Sequence, residues 1–303
     1  MTTQAPVHIP ESFNLARRRI LLRTAASLSI PVLGSSWLSA CGGGDDPEPI
    51  ADTPRLTSVD NFRDVAGNSD AGVYKSASGQ ALRRAQIYRS NNLSKLSDAD
   101  KATLEALGVA TVYDLRTPDE ITKAPDKLPK GANYVKVNIL DEEQITTPNF
   151  ANAAASIAWM EELNRSFVYS SAERGQIALM IKNLASTSGV QLYHCSAGKD
   201  RAGWISVMLQ TLLGVPSNVI MQDYLLTNTY SATSIAATYN ALKAGYGQAY
   251  ADAYLPLLGV QESFLNASFE QIKQTFGTME AYITDGLKID TATRNTLRNK
   301  MLR

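Results

Sequence analysis

The chain has 303 residues, of which 44% are hydrophobic and 19% are charged, so it is long and apolar enough to fold around a sizeable core. Its 29 basic and 29 acidic residues give a formal net charge of zero, and no block of like charge runs along it. This balance argues against nucleic-acid binding as the main role.

The first forty residues have the pattern of an export signal. An arginine cluster at 17–19 precedes a mildly apolar stretch that continues with small residues up to Cys41, and it resembles a twin-arginine signal. The alternative is a transmembrane anchor. Only 17 residues separate Arg23 from Cys41, and serines, a proline and a glycine interrupt them, whereas a bilayer span needs roughly 20 apolar residues. We therefore expect residues 1–40 to be an export signal.

The end of this signal resembles the attachment site of a bacterial lipoprotein. In the motif Leu-Ser-Ala-Cys at 38–41, the thiol of Cys41 would receive a diacylglycerol and become the new N-terminus after cleavage. The residues after it are rich in glycine, proline and acidic side chains, so 41–54 are expected to be a flexible tether. We expect an exported protein on the periplasmic or extracellular face, with 55–303 as its folded domain and a lipid anchor in the membrane.

Hydrophobic periodicity after the tether predicts strands that alternate with helices. Short apolar runs with β-branched and aromatic residues predict strands at 85–90, 110–115, 133–139 and 189–195. Apolar residues at helical spacing predict helices at 97–107, 167–185, 204–213 and in several segments after 216. This alternation indicates a single α/β domain with a central, mostly parallel sheet flanked by helices.

A stretch at 241–260 combines tyrosines with small residues. One interpretation is a lid or substrate-recognition insertion near a functional site. The other, which we favour, is a helical hairpin in which the tyrosines serve amphipathic packing.

Cysteine usage directs attention to one loop. If Cys41 is lipidated, Cys195 is the only free thiol of the mature protein, and no internal disulfide can form. Cys195 lies between the predicted strand and a predicted helix, where the backbone N–H groups of 196–201 can bind an anion at a helix N-terminus. Gly198 and Gly203 permit the tight path of such a loop. The alternative is a buried, inert cysteine.

The spacing Cys-x5-Arg adds a phosphate ligand to this loop. The loop amides, the helix terminus and Arg201 all favour a thiolate at Cys195. The planar guanidinium of Arg201 can also hold two oxygens of one phosphate. These groups together predict in-line attack of sulfur on phosphorus, with a thiophosphate intermediate.

Residues 194–201, His-Cys-Ser-Ala-Gly-Lys-Asp-Arg, resemble the HCxxGxxR signature of the cysteine-dependent protein tyrosine phosphatases. The Gly-Lys-Asp-Arg variant resembles the bacterial branch whose members also act on phosphoinositides and, in some cases, on phosphoserine and phosphothreonine. Further segments fit the same family: NFRDVAG (61–67), YRSNNL (88–93), VYDLRTPDE (112–120), QDYLLTN (222–228) and FGTMEAYI (276–283). The resemblance implies a tyrosine phosphatase-like fold that acts without a cofactor on phosphorylated proteins or phosphoinositide lipids.

The resemblance also implies a role for each residue of the signature. Cys195 is the nucleophile, Arg201 clamps the phosphate, and His194 orders the loop and favours the thiolate. The other histidine, His8, lies in the signal, so we expect no histidine-based metal site in the mature chain. The implied substrate-binding residues are Ser196, Ala197, Gly198, Lys199, Asp200 and Arg201.

Lys199 and Asp200 distinguish this variant of the signature. A second cation at the rim suits substrates with more than one phosphate, and the alternative is a solvated loop charge. A carboxylate at Asp200 would face the bound dianion, which is unfavourable unless it is protonated or paired. Asp200 is therefore either a proton donor to the leaving group or a partner of Lys199 or Arg201.

The leaving group needs a proton from a positioned carboxylic acid, and several aspartates can supply it. The predicted strand at 110–115 ends at Asp114 with Arg116 close behind, and the carboxyl ends of parallel strands carry functional groups. In the alternative interpretation, Asp114 caps a turn or pairs with Arg116. We therefore rank Asp114 and Asp200 equally as candidate general acids. Asp119, on an expected loop, ranks below them.

One position departs from the family pattern. Residue 202 is alanine, where the family commonly has a serine or threonine whose hydroxyl helps the sulfur to leave. We therefore expect slow hydrolysis of the phosphoenzyme unless Ser196 or a water substitutes. Two other functions stay open: a catalytically weak lipoprotein that binds a phosphorylated ligand, and a rhodanese-like sulfurtransferase, although the spacing and the preceding histidine fit the phosphatase better.

Overall fold

The structure is a computed structural model that describes residues 50–140 and 148–303. The expected export signal, Cys41 and most of the expected tether lie outside the described residues. Within the described ranges, every helix is too short or too polar to cross a membrane.

The described part of the chain forms one sheet from the strands β1 (Arg63–Asp64), β2 (Ile87–Ser90), β3 (Val109–Asp114), β4 (Asn133–Lys136) and β5 (Val190–His194). Their order across the sheet is β1-β2-β5-β3-β4, and only β1 runs antiparallel to its neighbour. The register places His194 of the central strand opposite Ser90 of β2 and Asp114 of β3. The carboxyl ends of three parallel strands therefore meet where the chain continues into Cys195.

Helices make up most of the other described residues: α1 (Asp98–Ala106), α2 (Pro118–Lys123), α3 (Ala153–Tyr169), α4 (Ser171–Ser186), α5 (Asp200–Leu212), α6 (Ser217–Tyr230), α7 (Ala232–Tyr246), α8 (Gln248–Leu258), α9 (Glu262–Phe276), α10 (Met279–Ala281) and α11 (Thr291–Met301). A π-helical turn, Tyr282–Gly286, follows α10.

Both faces of the sheet are buried, because successive strand residues point to opposite sides. Tyr113 and Tyr193 belong to the larger core cluster, together with the apolar residues of α4 and α5. Val112 and Leu192 belong to the smaller cluster, which includes Leu104 of α1. The expected α/β fold, with a mostly parallel sheet between helices, is confirmed.

Two expected elements differ from the structure. The helix predicted at 167–185 is divided in the structure between the last turn of α3 and most of α4. Ser170 ends the first helix in an extended conformation and caps the second, since its side chain accepts a hydrogen bond from the Glu173 amide. The loop expected after Arg116 is the short helix α2, because Thr117 and Glu120 form a reciprocal capping box.

The tyrosine-rich stretch at 241–260 belongs to a helical hairpin, as the favoured interpretation expected. Gly247, with φ +88°, joins α7 to α8. The rings of Tyr250 and Tyr254 stack with their centroids 4.3 Å apart, while Tyr246 is 69% exposed. Packing therefore accounts for only part of this tyrosine row.

Candidate active site

The loop from Cys195 to Arg201 joins β5 to α5, and side chains from outside the loop bind its carbonyl groups. The side chain of Asn92 donates to the Ser196 carbonyl at 2.8 Å. The Gly198 carbonyl accepts from Asn61 at 2.6 Å and from Arg89 at 2.7 Å. Because these carbonyls point outward, the peptide planes turn their N–H groups toward the concave side of the loop, where an anion can bind. Cys195 opens this loop and is 2% exposed.

Buried charges from three distant segments support the loop from behind. Asp223 of α6 pairs with Arg63 of β1 at 3.2 Å and with Arg89 of β2 at 3.7 Å. Burial, assisted by the positive charge of Arg63, lowers the pKa of Arg89 to about 10, so it remains a cation at neutral pH. The hydroxyl of Tyr74 donates to Asp223 at 3.0 Å. The segments 61–67, 88–93 and 222–228 thus converge on one buried ion network.

Arg201 is held by a carboxylate on α2. Its two terminal nitrogens donate to the two carboxylate oxygens of Glu120 at 2.6 and 2.8 Å, which fixes the plane of the guanidinium. Burial alone would raise the pKa of Glu120, but the hydrogen bonds and the charge of Arg201 lower it to about 2. The pair is therefore ionised at neutral pH, and the capping box at Thr117 fixes the position of Glu120 on its helix.

His194 lies between two carboxylates beneath the loop. Its Nε2 is 3.0 Å from Asp126 and its Nδ1 is 3.8 Å from Asp114. These three side chains have the donor types of a metal site and lie within 4.8 Å of one another, so a count of histidines does not by itself exclude such a site. Arg116 donates to both carboxylates, at 2.7 and 2.8 Å, so a guanidinium already balances their charge.

Asp114 does not have the surroundings of a proton donor. It is fully buried and accepts hydrogen bonds from Arg116 and from the hydroxyl of Tyr134 at 2.6 Å. Burial opposes its ionisation, but the hydrogen bonds from Arg116 and the charge of His194 hold the pKa of Asp114 well below its usual range. These contacts correspond to the alternative interpretation of the sequence, in which Asp114 pairs with Arg116.

Asp200, the other leading acid candidate, lies on the loop itself. Its side chain is 13% exposed, and one carboxylate oxygen is 2.9 Å from the Lys199 ammonium. Asp119 is an exposed residue of α2. Asp200 therefore lies on the loop and pairs with Lys199, one of the arrangements that the sequence left open, while its Oδ1 is buried and has no hydrogen-bond partner within the described residues.

A cavity of about 250 Å³ adjoins the loop on the side of α6, α7 and α8. Ser196, Ala197 and Lys199 form its wall on the loop side. The opposite wall is rich in hydroxyl and other polar side chains, with some aliphatic ones: Asp60, Asn91, Thr227, Ser231, Ser234, Thr238, Ile235, Leu257 and Leu258. The described lining contains no aromatic ring, and the tyrosine-rich hairpin contributes aliphatic and hydroxyl groups to it.

The position after Arg201 has no hydroxyl group. Ala202 is fully buried at the start of α5. Ser196, the substitute suggested by the sequence, donates its hydroxyl hydrogen to Glu120 and accepts a hydrogen bond from Arg201 at 3.3 Å. In this arrangement Ser196 stabilises the Glu120–Arg201 pair, so its hydroxyl is already engaged.

The sequence did not identify the residues that support the site. Glu120, Asp126 and Asp223 hold Arg201, His194 and Arg89, and each partner is far away in the chain. One signal was readable: Thr117 followed three positions later by Glu120 is the pattern of a capping box, which predicts a helix start there.

Comparisons with known proteins extend the similarity beyond the loop. A family model described as the tyrosine phosphatase family matches residues 54–303. A Cupriavidus necator protein, named as a tyrosine-protein phosphatase, is 31% identical over 270 residues that cover 84% of this chain and 96% of the relative. The triple specificity protein phosphatase PtpB of Mycobacterium tuberculosis is 26% identical over 277 residues, covering 80% and 96%. A tyrosine-protein phosphatase of Nostoc commune is 28% identical over 213 residues, covering 66% and 70%.

Proposed function

This chain belongs to the tyrosine phosphatase family, and on that premise we propose that it hydrolyses phosphate monoesters through a phosphocysteine intermediate. The observation that carries the proposal is the loop at 195–201. Outside donors hold its carbonyls outward, which leaves its amides to bind the phosphate beside the Cys195 sulfur. Arg201, fixed by Glu120, adds a planar cation to the same site.

The reaction has two displacements at phosphorus. The thiolate of Cys195 attacks in line, forms the S–P bond and breaks the P–O bond of the ester. The amides and Arg201 stabilise the charge on the equatorial oxygens during both steps. Water then attacks the phosphorus, the S–P bond breaks, and inorganic phosphate leaves the loop.

Asp200 is the proposed donor of a proton to the leaving oxygen. It lies at the start of α5 on the phosphate-binding loop, where its carboxylate is 2.9 Å from the ammonium of Lys199, a residue that lines the cavity. The charge of a bound phosphate dianion beside it would favour the protonated carboxyl, which can then donate its proton to the leaving alcohol. Asp114 acts through other residues, because Arg116 and Tyr134 occupy its carboxylate. After the first displacement, the carboxylate of Asp200 is available to accept a proton from the attacking water.

The cavity beside the loop supports phosphoinositides as substrates, in addition to phosphotyrosine proteins. Hydroxyl, carboxylate and amide side chains beside an aliphatic wall suit a ring with several hydroxyl groups. The ammonium of Lys199, largely buried beside this cavity, suits a second phosphate on such a ring. An inositol phosphate fits this lining better than a phenol ring, for which the described lining offers no aromatic partner.

Phosphate release from a panel of substrates tests this proposal. Without added metal, we expect release from a phosphotyrosine peptide and from phosphatidylinositol phosphates. Lys199→Gln should lower the rate on lipids with two or more phosphates more than the rate on the peptide, because loss of the contact with Asp200 affects both substrates, whereas loss of the cation beside the cavity affects only a substrate with a second phosphate. Failure to release phosphate from any substrate would contradict a phosphatase, and cyanide-dependent thiocyanate release would instead support a sulfurtransferase.

A phosphate receptor with little turnover is the second candidate function, and Ala202 favours it. We expect a burst of the alcohol product followed by a slow steady state, because no hydroxyl at 202 assists the sulfur to leave. Ala202→Ser should raise the steady-state rate at least about tenfold, since positioned proton donors contribute 10²–10⁴-fold. Ala197→Ser, which adds a hydroxyl elsewhere on the loop, should not. Linear kinetics in the parent with no gain in Ala202→Ser would contradict the idea.

We also propose that the protein is exported and carries lipid on Cys41. The support is the leader at 1–40 with its arginine cluster and the Leu-Ser-Ala-Cys motif. Labelled fatty acid should be incorporated into the protein in a bacterial host, and the protein should sediment with membranes. Cys41→Ala should lose both properties, whereas Cys41→Ala protein that still sediments with lipid label would contradict the anchor.

A further inference from the structure

A groove of about 360 Å³ follows one face of α4, and it shares no lining residue with the catalytic loop or its supports. Ser171, Arg174, Gly175 and Lys182 lie on this face at the spacing of one helical stripe, and Lys288 borders the groove from the segment after the π-helical turn. A Cβ built on Gly175 would meet no atom within 4 Å, so the helix leaves open space at this point.

The cations of this groove outnumber the carboxylates near it. Arg174, Lys182 and Lys288 line it, no carboxylate does, and none of the three forms an ion pair with a carboxylate in the described ranges. The acidic neighbour Asp290 caps α11 by accepting a hydrogen bond from the Thr293 amide at 2.7 Å, and the Thr293 hydrogen bonds together with the charge of Lys182 lower the pKa of Asp290. One exposed carboxylate balances only part of three positive charges, so a bound anion would stabilise this arrangement.

Arg174 is already oriented in the groove. One terminal nitrogen donates to the carbonyls of Val168 and Tyr169 at 2.8 and 2.6 Å, and the guanidinium lies 5.4 Å from the Phe276 ring centroid. Its Nε is buried and has no hydrogen-bond partner within the described residues. The guanidinium is thus held by one terminal nitrogen, and the other terminal nitrogen, which makes no hydrogen bond to the described residues, can donate to an anion.

We propose that this groove binds a phosphate group, carried either by a soluble phosphate ester or by a lipid headgroup. Arg174, Lys182 and Lys288 would neutralise the phosphate, and the hydroxyl of Ser171 adds a donor at the N-terminal turn of α4. The volume accommodates a phosphate with a small polyol. Leu179, 44% exposed on the same stripe, would contact an acyl chain if the phosphate belongs to a lipid.

Such a site is separate from Cys195 and its loop, so binding there requires no covalent step. It goes beyond the proposed phosphatase activity and does not depend on it. Three cations are concentrated in this groove, although the formal net charge of the whole chain is zero. A phosphate-bearing surface or ligand would therefore be recognised in one orientation.

Nuclear magnetic resonance of the full chain, labelled with [15N]glycine, tests the site directly. Gly175 and Gly286 line the groove, while Gly198 lies on the catalytic loop, so their amides report the two sites separately. Titration with inorganic phosphate should shift the Gly175 and Gly286 signals. Lys182→Gln/Lys288→Gln should weaken this titration at least about tenfold and leave that of Gly198 unchanged. The groove proposal is overturned if phosphate saturates Gly198 without moving the groove signals, or moves them equally in the double variant.

A second pair of variants and a vesicle arm complete the test. Gly175→Asp places a carboxylate in the groove and should abolish the Gly286 shift. Gly175→Asn introduces an uncharged side chain of the same size as aspartate and should retain much of that shift. With Cys41→Ala as background, sedimentation with phosphatidic acid vesicles, compared with phosphatidylcholine vesicles, identifies the source. Lysine-dependent sedimentation indicates a lipid headgroup, and a groove titration without sedimentation indicates a soluble ester. Equal Gly286 shifts in the two Gly175 variants would contradict the proposal.

Discussion

Cys195→Ser is expected to abolish turnover, lowering kcat by at least about 10⁴-fold while the protein still binds phosphorylated substrates. The substitution replaces a thiolate by a hydroxyl that needs a base before it can attack phosphorus. His194 is not placed to supply that base, because its Nε2 lies 3.0 Å from the Asp126 carboxylate and its Nδ1 lies 3.3 Å from the Cys195 carbonyl oxygen. The amides and Arg201 stay in place, so binding should persist.

Single-turnover phosphate release and calorimetric binding on the same protein measure this outcome. Ala102→Ser is the control, because it adds a hydroxyl at an exposed position of α1 and leaves the loop and its thiol intact. We expect the control to keep its activity within a few-fold. A Cys195→Ser protein with kcat within tenfold of the parent would rule out a phosphocysteine intermediate, and loss of binding together with turnover would show that the loop had collapsed.

Gly198→Ala is expected to lower kcat/KM at least about 10²-fold, since displacements near 1 Å in an active site have effects of this size. Gly198 has φ +69°, and a Cβ there would lie 2.4 Å from the Ser90 carbonyl oxygen and 2.6 Å from the Asn91 nitrogen. Both are backbone atoms that cannot rotate away. The loop must therefore shift, and its carbonyl would lose the hydrogen bonds from Asn61 and Arg89.

The variant Gly131→Ala distinguishes the effect of a steric clash from the effect of backbone strain. Gly131 has φ +78°, close to that of Gly198, but a Cβ there would meet no atom within 4 Å. Both variants should lose stability from the unfavourable φ, by about 1 kcal/mol, which thermal unfolding measures. Only Gly198→Ala should lose activity as well. Equal kcat/KM values for the two variants would mean that the close approach to β2 does not shape the loop.

The chemistry of the loop was readable because it is local. Eight consecutive residues, 194–201, contain the proposed nucleophile, the proposed phosphate-binding arginine and the glycine of the tight turn. The hydrophobic periodicity of the sequence predicted a strand before these residues and a helix after them. The fold class followed in the same way, since strands alternating with helices favour a parallel sheet whose strand ends share one edge.

The general acid was not readable, because two aspartates in similar sequence settings have different surroundings. Asp114 and Asp200 each end or follow a predicted strand, and each has a basic neighbour. In the structure, Tyr134 and Arg116 enclose Asp114, while Asp200 remains partly exposed beside Lys199. Tyr134 reaches Asp114 only because β4 pairs with β3, which the sequence pattern does not specify residue by residue.

The sequence by itself determined what reaction this loop is suited to, because nucleophile, amides and arginine are brought together by a few adjacent residues. Only the tertiary structure decided how the loop is held. Glu120 lies 81 residues before Arg201, and Asn61 lies 137 residues before Gly198. Contacts over such separations depend on sheet order and helix packing, and no local spacing encodes them. The basic groove on α4 has the same origin, because Lys288 joins Arg174 and Lys182 only through the packing of the chain.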